Sequence, residues 1–187
     1  VYKRQQLLWM LRRMRDEGSY LDGRKIKEPP RFFLGAAASP FGALPEYEAI
    51  RAEKKINAGA QFIQTQPVFD HDRFVDWIEA LDKRDLLGKV HILAGLIPLK
   101  SARAAQFMAG EVPGVVIPEE MVSRMTSAGD KEAQQETGFE IALEILEKLK
   151  GTPGISGTHI MAVHWESIIP RLVEETGLHQ ASPVPRA

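Results

Sequence analysis

The stretch Gln61-Phe62-Ile63-Gln64-Thr65-Gln66 is too short for a helix and lies between two helix-patterned segments. Before it, residues 45–58 open with Pro45-Glu46, a favourable first turn, and close before Gly59, a residue suited to a helix C-cap. After it, residues 71–86 put Phe74, Ile78 and Leu81 on one stripe, with Asp70 or Asp72 as the N-cap. The same grammar continues outward. Arg31-Phe32-Phe33-Leu34-Gly35-Ala36-Ala37-Ala38, Val90-His91-Ile92-Leu93-Ala94-Gly95-Leu96-Ile97 and Thr158-His159-Ile160-Met161-Ala162-Val163 are further short apolar runs. Runs of this kind read as parallel strands buried on both faces. Helices are expected over residues 4–17, 101–109, 131–150 and 167–176, with one more segment opening at Pro118-Glu119.

Strand starts near residues 32, 62 and 91 fall about thirty residues apart, the length of one strand-plus-helix unit. The fourth strand comes much later, so an extra helical layer precedes it. Four consecutive βα units suit either an open doubly wound sheet or part of a (β/α)₈ barrel. A full barrel takes roughly 250 residues, so 187 would supply about half of one. The leading helix has no strand before it, and the chain opens Val1-Tyr2-Lys3 with neither Met nor a signal-peptide pattern. We therefore expect residues 1–30 to be a helix and loop from a preceding βα unit. Residues 31–178 would form the four units, and 179–187, with Pro183 and Pro185, a flexible tail.

Composition narrows the function classes. Basic and acidic residues number 24 and 25, a formal charge of −1, which argues against broad nucleic-acid binding. No apolar run reaches the roughly 20 residues needed to span a bilayer. We expect a soluble, cytoplasmic protein. The absence of cysteine excludes disulfides, thiolate metal sites and a cysteine nucleophile. The five histidines show no carboxylate spacing that resembles a metal site. Arg12, Arg13 and Arg15 read as a solvated basic helix face rather than a nucleic-acid patch.

Both architectures put chemistry at the carboxyl ends of the strands. Those ends carry Ser39-Pro40-Phe41, Thr65-Gln66-Pro67, Ile97-Pro98 and His164-Trp165-Glu166. A glutamine at a strand exit offers a donor and an acceptor able to bind a heterocycle edge, or it ties down its own loop; both readings stand. His164 and Glu166 suit a structural hydrogen bonder better than an acid–base pair. Lys54 and Lys55, at a helix end, complement the macrodipole by default, and Glu48 reads as a solvated charge. No GxGxxG, GxxxxGK[ST] or GxSxG motif is present. The residues alone support an α/β enzyme portion and name no reaction.

The stretch from Glu53 to Asp70, with its Lys54-Lys55, Asn57-Ala58-Gly59-Ala60 turn and Thr65-Gln66 strand exit, resembles the central signature of methylenetetrahydrofolate reductases. The resemblance extends through Leu96-Ile97-Pro98-Leu99, Val116-Ile117-Pro118-Glu119-Glu120 and His159-Ile160-Met161-Ala162-Val163, most of residues 31–178. It implies a (β/α)₈ TIM barrel of which this chain carries the C-terminal four βα units, strands five to eight. It further implies FAD across the strand ends, a folate substrate and an electron donor, NAD(P)H or reduced ferredoxin. The implied activity is reduction of 5,10-methylenetetrahydrofolate to 5-methyltetrahydrofolate, within one-carbon metabolism and methionine biosynthesis.

Carried over by position, the resemblance makes Gln66 the residue contacting the folate pterin, with Thr65 beside it. Phe107 is similar to a phenylalanine that packs on the aminobenzoate ring, although its position also suits the core. Glu48, Arg51, Lys54 and Lys55 fall on the flavin-binding helix, with Lys55 the best candidate for the diphosphate. Ala37 and Ser39 fall where a strand exit passes the flavin. Ser39 replaces a common aromatic, Leu44 stands where some members place a histidine, and Trp165 stands near a folate-contacting arginine. The family's acid and flavin-side aspartate would lie ahead of Val1, so no catalytic residue is assigned within this chain. Two alternatives remain: a non-catalytic half-barrel acting as a partner-binding or assembly subunit, and a related flavoprotein using another one-carbon carrier. An oligomer, or complementation by the missing half-barrel, is expected.

Overall fold

The computed structural model describes residues 4–178; Val1–Lys3 and the expected tail over 179–187 lie outside the described residues. In chain order the elements are α1 (Arg4–Asp16), β1 (Gly35–Ala38), α2 (Pro45–Asn57), β2 (Phe62–Pro67), α3 (His71–Asp82) and β3 (His91–Leu96). There follow α4 (Ala102–Glu111), α5 (Glu119–Ser127), α6 (Lys131–Lys150), β4 (Gly157–Ile160), a 3-10 turn over Glu166–Ile168, and α7 (Ile169–Thr176). Asp70, Ser101 and Asp130 cap α3, α4 and α6 by accepting from the backbone N–H three residues on.

All four strands pair in parallel, in the spatial order β1-β2-β3-β4. Parallel crossovers are right-handed as a rule, and in a monotonic strand order that puts the helices on one face, the winding of a barrel rather than of a doubly wound sheet. Consistent with this, α2 packs on α3, α3 on α6 and α6 on α7. Beneath that layer Ile63, Ile92, Ala94 and Leu96 meet Phe74, Trp77 and Leu146 in one core. Each fully buried side chain of Leu or Phe size contributes about 1.5–3 kcal/mol.

Three expectations need correction. The strands are not buried on both faces: Ala37, Gln64 and His91, which share the face opposite the helices, are exposed. The first strand does not begin at Arg31. Phe32 and Phe33 precede it and are exposed, with Phe33 stacked on Phe62 at 5.4 Å. Nor is the basic face of α1 simply solvated. Arg12 donates to the Asn57 carbonyl at 3.1 Å, and Arg15 donates to Gln61 Oε1 and the Phe32 carbonyl, clamping α1 to the α2–β2 turn. Gly59, at φ +117°, leaves room for that clamp, because a Cβ there would lie 2.8 Å from Arg12 Cδ.

Candidate functional site

Where β1 and β2 end, a cleft of about 340 Å³ opens between the strands, α1 and α2. Its walls are Gln5, Ala37, Ala38, Ser39, Glu48, Arg51, Lys55 and Gln66. Lys55 Nζ donates to the Ala37 carbonyl at 2.6 Å, so the last turn of α2 is fastened to the end of β1. Arg51 Nη1 donates to Glu48 Oε1 at 3.1 Å, and the guanidinium lies 5.5 Å from the Tyr47 ring. Glu48 is buried, not solvated as its sequence position suggests. It is accommodated because Gly42 opposite has no side chain: a Cβ there would meet Glu48 Oε1 at 2.3 Å. The loop that carries Gly42 is pinned from α3, where Arg73 Nη2 donates to the carbonyls of Phe41 and Gly42, each at 3.0 Å.

A register shift in β2 sets the position of Gln66. Gln64 pairs with Leu93 but Pro67 pairs with Gly95, so Thr65-Gln66 face the single residue Ala94. An extra residue of this kind bends a strand and re-aims its side chains, and bulges gather beside active sites. Thr65 is buried, and its hydroxyl accepts from the Gly95 N–H at 2.9 Å and donates to the Gln66 carbonyl at 2.8 Å. Gln66 is thereby carried to the cleft wall while Thr65 holds the bulge from behind.

Six of the ten residues singled out in the sequence therefore meet in one cleft: Ala37, Ser39, Glu48, Arg51, Lys55 and Gln66. The other four do not line it. Lys54 points to solvent on α2, and Thr65 is inside the sheet. Phe107 is 58% exposed on α4, which excludes the core reading of that residue. Trp165 lines a separate cleft with Glu136, Phe139 and Arg171. Sequence reasoning missed Gln5, Gly42 and Gly95. Pro67 at the end of a strand run was a signal for the bulge, since proline inside sheets concentrates at bulges and edges. Among the described residues no cluster of three or more His, Asp or Glu could hold a metal ion, and no helix is long and apolar enough to cross a membrane.

The family profile of methylenetetrahydrofolate reductase matches residues 34–177, from the start of β1 to the cap of α7. The chain belongs to the methylenetetrahydrofolate reductase family. Relatives of this reductase-family chain include methylenetetrahydrofolate reductase 1 of Schizosaccharomyces pombe, 28% identical over 152 residues, which are 79% of this chain and 24% of the yeast protein. A probable NADH-dependent methylenetetrahydrofolate reductase of Oryza sativa is 26% identical over 91% of this chain and 28% of its own length. The chain thus spans about a quarter of the length of these relatives. An uncharacterised Clostridium thermocellum protein, whose structure binds two copies of 5-methyl-5,6,7,8-tetrahydrofolic acid, superposes with a TM-score of 0.53. That match is 20% identical and covers 81% of this chain and 54% of the other, a likeness of fold. The reductase family is FAD-dependent and its fold is the TIM barrel; the described residues show a four-stranded parallel sheet alternating with helices.

Proposed function

We propose that this chain supplies the C-terminal four βα units of a (β/α)₈ barrel that binds FAD and folate and reduces 5,10-methylenetetrahydrofolate to 5-methyltetrahydrofolate. The observation that carries the reading is the cleft that gathers Gln66 with Lys55, Arg51, Ser39 and Ala37 at the strand ends.

The donor set fits part of FAD. Arg51 and Lys55 are cations suited to a diphosphate, and the small residues of β1 leave the strand floor clear. The volume lies at the small end of the range for ligand pockets, roughly 300–1,000 Å³, so only one end of a dinucleotide would sit within it. FAD, when bound, supplies hydride chemistry, and the protein supplies binding, orientation and electrostatics. In that division of labour Lys55 and Arg51 offset phosphate charge, while Glu48 orients Arg51. Gln66 presents an N–H donor and a carbonyl acceptor to a heterocycle edge. Phe107 and Trp165 lie outside the cleft and would meet the folate tail. No proton donor is assigned within this chain.

The test uses the full-length gene product. Copurifying flavin and anaerobic reoxidation of reduced flavin by methylenetetrahydrofolate are expected, and a flavin-free, folate-inert protein overturns the reading. Competing NADH, NADPH and reduced ferredoxin in the reductive half-reaction identifies the donor.

A second reading, a half-barrel that binds a partner, draws on the open edge of β1. There Leu7, Phe32 and Phe33 line an apolar groove of about 350 Å³. Parallel strand addition at that edge would bury them. Light scattering on the purified protein tests it, and a flavin-free monomer counts against both readings.

A further inference from the structure

His159 stands on β4, two strands away from Gln66, yet its Nε2 lies 3.0 Å from the carbonyl oxygen of Thr65 in the β2 bulge. A carbonyl oxygen only accepts, so Nε2 carries the proton. Between the two residues runs β3, and His159 is in register there with Gly95. In-register neighbours share a face of the sheet, so any side chain at residue 95 would project into the path of the imidazole. A Cβ at Gly95 would come within 2.7 Å of the Thr65 carbonyl oxygen and 3.0 Å of that of Gln66. The glycine therefore opens a passage over β3, and its N–H also holds Thr65 Oγ1 at 2.9 Å.

We infer that His159 is a positioning residue for Gln66: its Nε2–H, passing over Gly95, fixes the Thr65 carbonyl and so the aim of the Gln66 amide. The inference rests on the reading of Gln66 as the folate-contacting residue. The bulge has three fixed points, the Thr65 hydroxyl on Gly95, the same hydroxyl on the Gln66 carbonyl, and the Thr65 carbonyl on His159. The first two come from residues adjoining or within the bulge. Gly95 ties it to the neighbouring β3, whereas His159 reaches it from β4 across that strand, so folate contact by Gln66 depends on β4 being seated. His159 touches no reacting atom in this scheme and acts through Gln66.

The experiment is a double-mutant cycle on the full-length, flavin-loaded protein, with FAD affinity and folate kcat/KM measured separately. His159→Leu is expected to lower folate kcat/KM about tenfold, the scale of a small misplacement, and to leave FAD affinity unchanged. In a Gln66→Ala background the same substitution should change kcat/KM by less than about twofold, because the residue it positions is gone. His159→Gln retains an N–H donor and should recover most of the activity. An equal loss in both backgrounds, or a His159→Gln variant as impaired as His159→Leu, overturns the inference. A Gln66→Ala variant that reduces folate normally overturns instead the reading beneath it. Should His159→Leu fail to fold, histidine ¹⁵N–¹H spectra of the wild-type protein decide: a proton on Nε2 is expected, and a neutral ring protonated only on Nδ1 overturns the inference.

Discussion

Lys55 Nζ lies 2.6 Å from the Ala37 carbonyl oxygen, tying the last turn of α2 to the strand end beside the cleft. The same ammonium lines the cleft, so it secures the wall and offers positive charge in one place. A charge-assisted hydrogen bond to a phosphate at a half-buried position is worth about 1.4 kcal/mol. Lys55→Met should therefore raise the FAD dissociation constant about tenfold, and the gap should narrow at high salt as exposed charge is screened. Flavin fluorescence titration of the full-length protein checks it. An unchanged dissociation constant removes Lys55 from the site.

Gly138 lies inside α6, where alanine would ordinarily stabilise by about 1 kcal/mol. Here the sign reverses. A Cβ at residue 138 would sit 1.8 Å from the Leu99 carbonyl oxygen, and backbone cannot step aside as a flexible side chain does. Overpacking costs about 1–3 kcal/mol, and a clash this close falls at the upper end, so Gly138→Ala should destabilise by up to about 2 kcal/mol net. Urea unfolding measures it, and a higher midpoint would mean that α6 and Leu99 are further apart.

The helices and the parallel βα grammar were legible because they rest on local patterns: the Asp70 cap, the Pro45-Glu46 start and the stripe of Phe74, Ile78 and Leu81. The candidate cleft was legible mainly through the resemblance, since spacing alone left Gln66 a heterocycle binder or a loop tie. What pattern could not supply was any feature made by two distant segments. Glu48 reads as solvated until Gly42 is folded over it, and Arg15 reads as surface charge until Gln61 comes within reach. The burial of the strands was overestimated because an apolar run does not reveal whether a second layer covers its other face. Phe33 and Ala37 are apolar and exposed.

Arg124 makes a bidentate pair with Glu144, joining α5 to α6 at 2.7 and 2.8 Å. That hydrogen bonding holds the Glu144 carboxyl below the ordinary glutamate range, with burial opposing it. A lowered folded-state pKa contributes stability that is complete above the unfolded value, about 4.3, and is lost as pH falls through the folded value. Glu144 is half exposed, so the contribution is about 0.5–1 kcal/mol at neutral pH. Glu144→Gln should cost that much in urea unfolding at pH 7. Near pH 2, where both proteins carry an uncharged side chain there, the difference should vanish. A gap that persists at pH 2 would assign the effect to packing.

Phe107 separates two explanations of an apolar residue on α4. At 58% exposure it removes little surface from water, so truncation should alter global stability by no more than about 0.5 kcal/mol. A core phenylalanine would instead cost about 3–5 kcal/mol. If this exposed ring meets the folate tail, Phe107→Ala should raise the folate KM several-fold at unchanged FAD affinity. Lost ring–ring contact of about 0.5–1.5 kcal/mol corresponds to roughly 2- to 13-fold. Steady-state kinetics and urea unfolding on the same preparation distinguish the cases. Unchanged stability with unchanged KM would leave Phe107 outside the folate site, whereas a large stability loss would mean that α4 packs its other face against the barrel.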